Sequence, residues 1–213
     1  MLIDDIKWLG HGGFMIQASK LLVLNPWRVV RSAFHADIIL LTHEHYDHCS
    51  TADIEKLRGP HTKVIGNEAV AAKITNTTII RPWQSMSFER MSIKAIPAYA
   101  PDGITHKLED GGLGFVISVN FYDIYYAGDT KIIPEMERIR PDVALLPIDN
   151  RDTMGVDEAV EAVALLSPRW VMPFNWGSVG EGATRLDAQE FKSKVGGQAE
   201  VILPNNSTET SST

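Results

Sequence analysis

Cysteine is nearly absent: Cys49 is the only one, so no intrachain disulfide can form, and a reducing, cytoplasmic setting is expected. No apolar run approaches the roughly 18 residues of a membrane span. The first residues, Met1-Leu2-Ile3-Asp4-Asp5, carry acid where a secretion signal carries base. Lysine and arginine form no block, and the formal net charge is -7. Phosphate backbones need clustered positive charge, so long nucleic acids are not expected as partners. The chain also lacks a G-x-S-x-G elbow, a glycine-rich phosphate loop and a Cys/His pair set for catalysis, which removes the commonest organic nucleophiles and the nucleotide-binding loops. What these absences leave is a soluble, mildly acidic globule away from membranes, with homo-oligomerisation open.

The 213 residues, 44% of them hydrophobic, are enough for one sizeable core. A single domain over residues 1–204 is expected, followed by a tail at 205–213 that has no apolar residue to bury. Residues 7–17 and 20–24 read as two strands joined at Ala18-Ser19, the first made irregular by Gly10, Gly12 and Gly13. The run 38–42 reads as a buried strand, and 51–57 as a short helix capped by Ser50 or Thr51 and stopped by Gly59-Pro60. Short strand and helix segments follow at 63–66, 68–74 and 78–81. A meander of strands comes next at 86–90, 92–97, 114–120 and 124–127, with Phe121-Tyr122-Asp123 as its last turn. Residues 98–112 form a long loop, and long loops inside a compact domain are more often functional than idle. Residues 132–139 read as helical, and 142–147 as a strand. Val156, Ala159, Val160, Val163 and Leu166 fall at helical spacing, and Thr184 to Asp187 resembles a capping box after the strand 170–174. A strand at 200–203 closes the order.

Three imidazoles and a carboxylate, His43, His45, Asp47 and His48, follow directly on the buried run 38–42. A strand entering a turn fixes the backbone where the side chains begin, as a preorganised metal site requires. Other potential ligands also follow strands: Asp129, the stretch Asp149 to Arg151, and Asn175.

The pattern His43-x-His45-x-Asp47-His48 resembles the signature of the metallo-β-lactamase fold superfamily. Gly128-Asp129-Thr130, the opening Trp8-Leu9-Gly10-His11, and Leu146-Pro147 followed by Asp152-Thr153-Met154-Gly155 are similar to its small ascorbate-6-phosphate-lactonase-like branch of metal-dependent hydrolases. The resemblance implies an α/β fold, a four-layer αββα sandwich with a metal pair at one edge of the sheets. It implies that His43, His45 and a later histidine, which His106 fits, hold one ion. It implies that Asp47, His48 and a final histidine hold the other, with Asp129 as the bridge. Zinc is the expected metal, as one or two ions, with manganese or another divalent ion as alternatives.

The departure from this pattern is Asn175, which stands after strand 170–174 where similar proteins have the final histidine. An amide oxygen is a weaker ligand than imidazole, so the second position is expected to bind less tightly. A one-metal enzyme, a second ion that arrives with substrate, and preference for an oxygen-favouring ion such as Mn²⁺ all stay open. The expected activity is hydrolysis of a small ester, lactone or phosphoester by a hydroxide formed on the metal. Binding to a divalent ion lowers the pKa of water from about 15.7 to about 7, roughly 12 kcal/mol of stabilisation. Asp47 is the catalytic candidate, orienting the hydroxide and carrying its proton. His11, Arg151 and Trp176 are candidates for substrate contact. A phosphodiesterase or nuclease of the same fold is one alternative, and a ligand- or partner-binding member without turnover is the other.

Overall fold

The structure, a computed structural model, describes residues 2–30, 34–178 and 180–203. After a 3-10 turn at Leu2–Asp5, β1 (Ile6–Gly10), β2 (Gly13–Gln17) and β3 (Leu21–Leu24) form an antiparallel meander. β4 (Ala36–Leu40), α1 (Thr51–Leu57), β5 (Arg58–Gly66), α2 (Glu68–Lys73) and β6 (Thr77–Ile79) follow, and these strands run parallel to β3. The second half repeats the plan. β7 (Ser85–Phe88), β8 (Met91–Pro97), β9 (Leu113–Val119) and β10 (Tyr122–Tyr126) are antiparallel. β11 (Val143–Pro147), α3 (Val156–Leu166), β12 (Trp170–Phe174), α4 (Arg185–Val195) and β13 (Glu200–Val201) extend that sheet in parallel. Connection length sets the change: a tight turn returns a strand antiparallel, whereas a parallel neighbour needs a crossover, here an α-helix in four cases.

Two sheets result, ordered β1-β2-β3-β4-β5-β6 and β13-β12-β11-β10-β9-β8-β7. Period-2 alternation decides which face each residue serves. Leu22, Leu24, Ile38, Leu40 and Ile65 join the core shared with Ile93, Phe115 and Ile117 of the other sheet. Their neighbours Val23, Ile39, Leu41 and Val64 face the opposite way and pack with Ile54 and Leu57 of α1 and Val70 of α2. On the second sheet, α3 buries Ala159, Ala162, Val163 and Leu166, and α4 buries Ala188, Phe191 and Val195. The layers are therefore helix, sheet, sheet, helix. Phe14 of β2 lies edge-on to Tyr126 and Phe174 at 6.0 and 6.1 Å, tying the sheets together beneath their shared edge.

The helices begin where their capping residues require. Ser50 caps α1, Asn67 caps α2, and Thr184 with Asp187 forms a reciprocal box at α4. Four expectations are corrected. Residues 7–17 are two strands, because Gly10 pairs with Gly13 and leaves His11-Gly12 as a turn, with the irregularity at Leu9. The last meander turn is Asn120-Phe121, both at positive φ, so β10 starts at Tyr122. Gly59 and Pro60 lie inside β5 and not in a stop after α1. Pro134–Arg138 winds as a 3-10 helix within 132–139. Pro204 and the tail expected at 205–213 lie outside the described residues. Among the described residues, no helix is long and apolar enough to cross a membrane.

Candidate metal centre

The histidine loop is held at both ends. Leu41 continues the β4 ladder by donating to Ile65 O, and Ser50 caps α1 immediately after the loop. Between them, the backbone N–H groups of His48 and Cys49 both donate to His45 O, folding the segment into one turn. The other ligand candidates arrive from neighbouring strand ends: His11 after β1, His106 in the loop after β8, Asp129 after β10 and Asn175 after β12. His106 lies at positive φ, and its loop is pinned by Asp152, whose Oδ2 accepts from Ile104 N, Thr105 N and Thr105 Oγ1 at 2.7 to 2.9 Å. Gly128, at φ +72, lets the chain turn to Asp129 where a methyl group would collide with Leu113 O.

These elements bring three sets of donors together, each within 4.8 Å: His43, His45 and His106; His11, Asp47 and His48; and His43, His48 and Asp129. Asp129 faces two ways. Its Oδ2 lies 3.8 Å from His43 Nε2 and 3.7 Å from His106 Nε2, while Oδ1 lies 3.3 Å from His48 Nε2. Several buried side-chain atoms of these residues have no hydrogen-bond partner: His43 Nε2, which faces Asp129, both nitrogens of His48, His11 Nδ1 and Asn175 Oδ1. Each such atom costs about 1–3 kcal/mol when left unpaired. The convergence of the donor sets, with imidazole and carboxylate as the donor types, fits a first-row divalent cation.

The protonation states point the same way. Burial pushes the His43 and His106 pKa values down, leaving neutral rings able to donate a lone pair. Burial alone would raise Asp47 and Asp129. The hydrogen bond from His11 and the charge of His48 beside it outweigh it at Asp47, and the charge of His48 outweighs it at Asp129, so both carboxyls stay far below their usual range. Burial also opposes charge on His48, but Asp129 and Asp47 raise its pKa to about 10. The field that holds a proton on His48 is one that favours a metal cation in its place.

A second layer of residues orients the first. His43 Nδ1 lies 2.9 Å from Thr42 Oγ1, which turns Nε2 inward. Thr42 is fixed by Asn25, whose Oδ1 accepts from Thr42 N and whose Nδ2 donates to Thr42 Oγ1 and to Tyr126 Oη, each at 3.0 Å. The Tyr126 hydroxyl in turn donates to Gly12 O at 2.9 Å. None of these polar residues has a sequence signature of its own, beyond being polar next to apolar strand residues.

The remaining candidates divide. The Asn175 Nδ2 faces Asp129 Oδ1 at 3.0 Å and Asp149 Oδ1 at 3.4 Å. Two carboxylate acceptors require the nitrogen on that side, so the amide oxygen turns away. Asp149, which opens the stretch Asp149 to Arg151 named from its place after a strand, is raised to about 6 by burial and by the charge of Asp129. Arg151 is exposed at the rim, with Nη1 3.4 Å from Glu181 Oε2, while Tyr46 Oη donates to Glu181 Oε1 at 2.7 Å. Trp176, the other candidate for substrate contact, is packed into the core. It is buried, stacked on Trp8 at 4.6 Å between centroids, and its indole N–H donates to Pro173 O. Cys49 is buried as a protonated thiol, its pKa pushed up to about 11 mainly by burial.

Comparison with known proteins agrees with this geometry. Residues 5–175 match the family model for the beta-lactamase superfamily domain. A UPF0173 metal-dependent hydrolase from Thermococcus onnurineus is 33% identical over 221 residues, covering 93% of this chain and 95% of the relative. The crystal structure of a protein from Parabacteroides distasonis, described as a metal-dependent hydrolase, superposes with a TM-score of 0.83 at 28% identity, over 93% of this chain and 91% of that one. Igni18, a metallo hydrolase from Ignicoccus hospitalis, gives 0.77 at 25% identity over 94% of both chains. The chain belongs to the metallo-β-lactamase superfamily, among its UPF0173 metal-dependent hydrolases.

Proposed function

We propose that this hydrolase cleaves a small ester, lactone or phosphoester in the cytoplasm, using zinc or, alternatively, manganese. His43, His45 and His106 hold one cation, Asp47 and His48 contribute to a second, and Asp129 lies between them. The observation that carries this reading is the division of Asp129, one oxygen toward His43 and His106 and the other toward His48. A divalent cation bound there supplies Lewis acidity, acidifying water from a pKa of about 15.7 to about 7 and polarising the scissile carbonyl or phosphoryl group.

The chain's own residues do the rest. Asp47 is held ionised and keeps 18% of its side chain exposed, so it can accept a hydrogen bond from the attacking water. It takes that water's proton as the new bond to carbon or phosphorus forms, and delivers it to the departing oxygen as the old bond breaks. Arg151 meets an anionic group on the substrate, for which it must leave Glu181. The net charge of -7 supports a small substrate over a long nucleic acid.

The test is a panel of lactone, carboxylic ester, phosphodiester, thioester and β-lactam substrates, each run with Zn²⁺, Mn²⁺ and Ni²⁺. The reading expects turnover of an ester, lactone or phosphoester that chelation removes and metal restores. Hydrolysis unaffected by chelation would refute it.

A further inference from the structure

We infer that the second cation position is a two-imidazole site completed by His11, with His11, Asp47, His48 and Asp129 as its donors and Asn175 as a positioning residue outside it. This rests on the metal-centre reading above and changes its balance: the second position is as well furnished as the first.

Spacing is the first reason. His11 Nε2 lies 2.9 Å from Asp47 Oδ2, although the two residues are 36 positions apart. Donors bound to one ion at about 2.0–2.2 Å, at angles of about 90–110°, stand roughly 2.9–3.5 Å from each other. His48 completes a set within 4.8 Å, and Asp129 Oδ1 reaches His48 Nε2 at 3.3 Å.

The second reason is the state of His11 itself. It is 3% exposed, it presents Nε2 to Asp47, and its backbone φ is +49. A turn flanked by Gly10, Gly12 and Gly13 could be made with another glycine. A buried imidazole in a left-handed conformation is a costly way to make a turn unless the ring is used.

Position is the third reason. His11 O accepts from both Trp8 Nε1 at 2.8 Å and Asn175 N at 3.2 Å. The β1 turn is thereby locked to the end of β12, and the imidazole enters the site one hydrogen bond away from Asn175. The Asn175 side chain has different work there. Its Nδ2 is committed to Asp129 and Asp149, which fixes Asp129 and leaves a neutral amide oxygen as the only other donor.

The experiment measures zinc per chain by mass spectrometry after loading and dialysis, with the visible spectrum of the Co²⁺-loaded protein as a report on ligand number. The unaltered protein is expected to hold two equivalents. His11→Ala should keep one and weaken the other roughly a hundredfold or more, with a changed Co²⁺ spectrum. Asn175→Ala should keep two. His11→Asp, whose side chain tolerates positive φ and offers an oxygen, should restore the second equivalent and keeps the test decisive if His11→Ala fails to fold. Two tightly held equivalents in His11→Ala, only one in the unaltered protein or in His11→Asp, or loss of the second ion in Asn175→Ala would each overturn the inference. Those results leave the metal-centre reading standing. Zinc absent from the unaltered protein would overturn both.

Discussion

Gly12 lies against the ring of His48: a methyl group at position 12 would sit 2.6 Å from His48 Nε2 and 3.1 Å from Asn175 Oδ1. His48 is fully buried and cannot swing aside without moving Asp47 or Asp129. Gly12→Ala is therefore expected to cost about 1–3 kcal/mol of stability through overpacking and to weaken metal binding at the same time. Urea unfolding in the presence of chelator gives the first quantity, and zinc titration calorimetry the second. Wild-type zinc affinity in a folded Gly12→Ala protein would show that the ring is not a ligand.

The shared carboxylate and the loop histidine make a sharper pair of variants. His106→Ala and Asp129→Ala are each expected to abolish metal-dependent turnover, Asp129→Ala with loss of both equivalents of metal because its oxygens face both donor sets. Steady-state rates beside metal analysis read this out. Full activity in either variant would end the ligand assignment.

At the rim, Glu181 holds both Tyr46 and Arg151, the latter with 58% of its side chain exposed. Arg151→Ala should raise KM for an anionic substrate about tenfold, the equivalent of about 1.4 kcal/mol, with kcat nearly unchanged. Glu181→Gln should lower that KM by freeing the guanidinium. A neutral ester run in parallel should respond to neither change. Equal effects on both substrates would remove Arg151 from substrate binding.

The stacked pair Trp8 and Trp176 is structural. Trp176→Ala removes a side chain only 3% exposed and should cost about 3–5 kcal/mol, read from the denaturant midpoint. A change in KM with unaltered stability would reopen Trp176 as a substrate contact.

The two sheets and most helices were legible because burial leaves a period in the sequence. Leu22, Val23 and Leu24 alternate between two cores, and Ala159, Val163 and Leu166 recur at helical spacing. The cluster His43 to His48 was legible because its members are neighbours in the chain. Contacts between distant positions leave no such trace. Nothing local separates a histidine in a glycine-rich turn from one set beside Asp47, and nothing marks Trp176 as the stacking partner of Trp8. The same holds for Asn25, Asp149 and Asp152, whose roles come from what the fold carries to them. The hairpin at His11-Gly12 was hidden because three glycines are equally consistent with an irregular strand and with a tight turn.

The Tyr126 hydroxyl, on the second sheet, donates to Gly12 O and accepts from Asn25, which in turn fixes Thr42 and the ring of His43. This oxygen joins the backbone hydrogen bonds from Asn175 N to His11 O and from Leu113 N to Thr42 O in fastening the two halves of the chain at the edge where their donors meet. Chelation and Tyr126→Phe should therefore have one symptom in common: slow amide exchange across β4 and β10, uniform in the loaded protein, should split into two independently opening blocks.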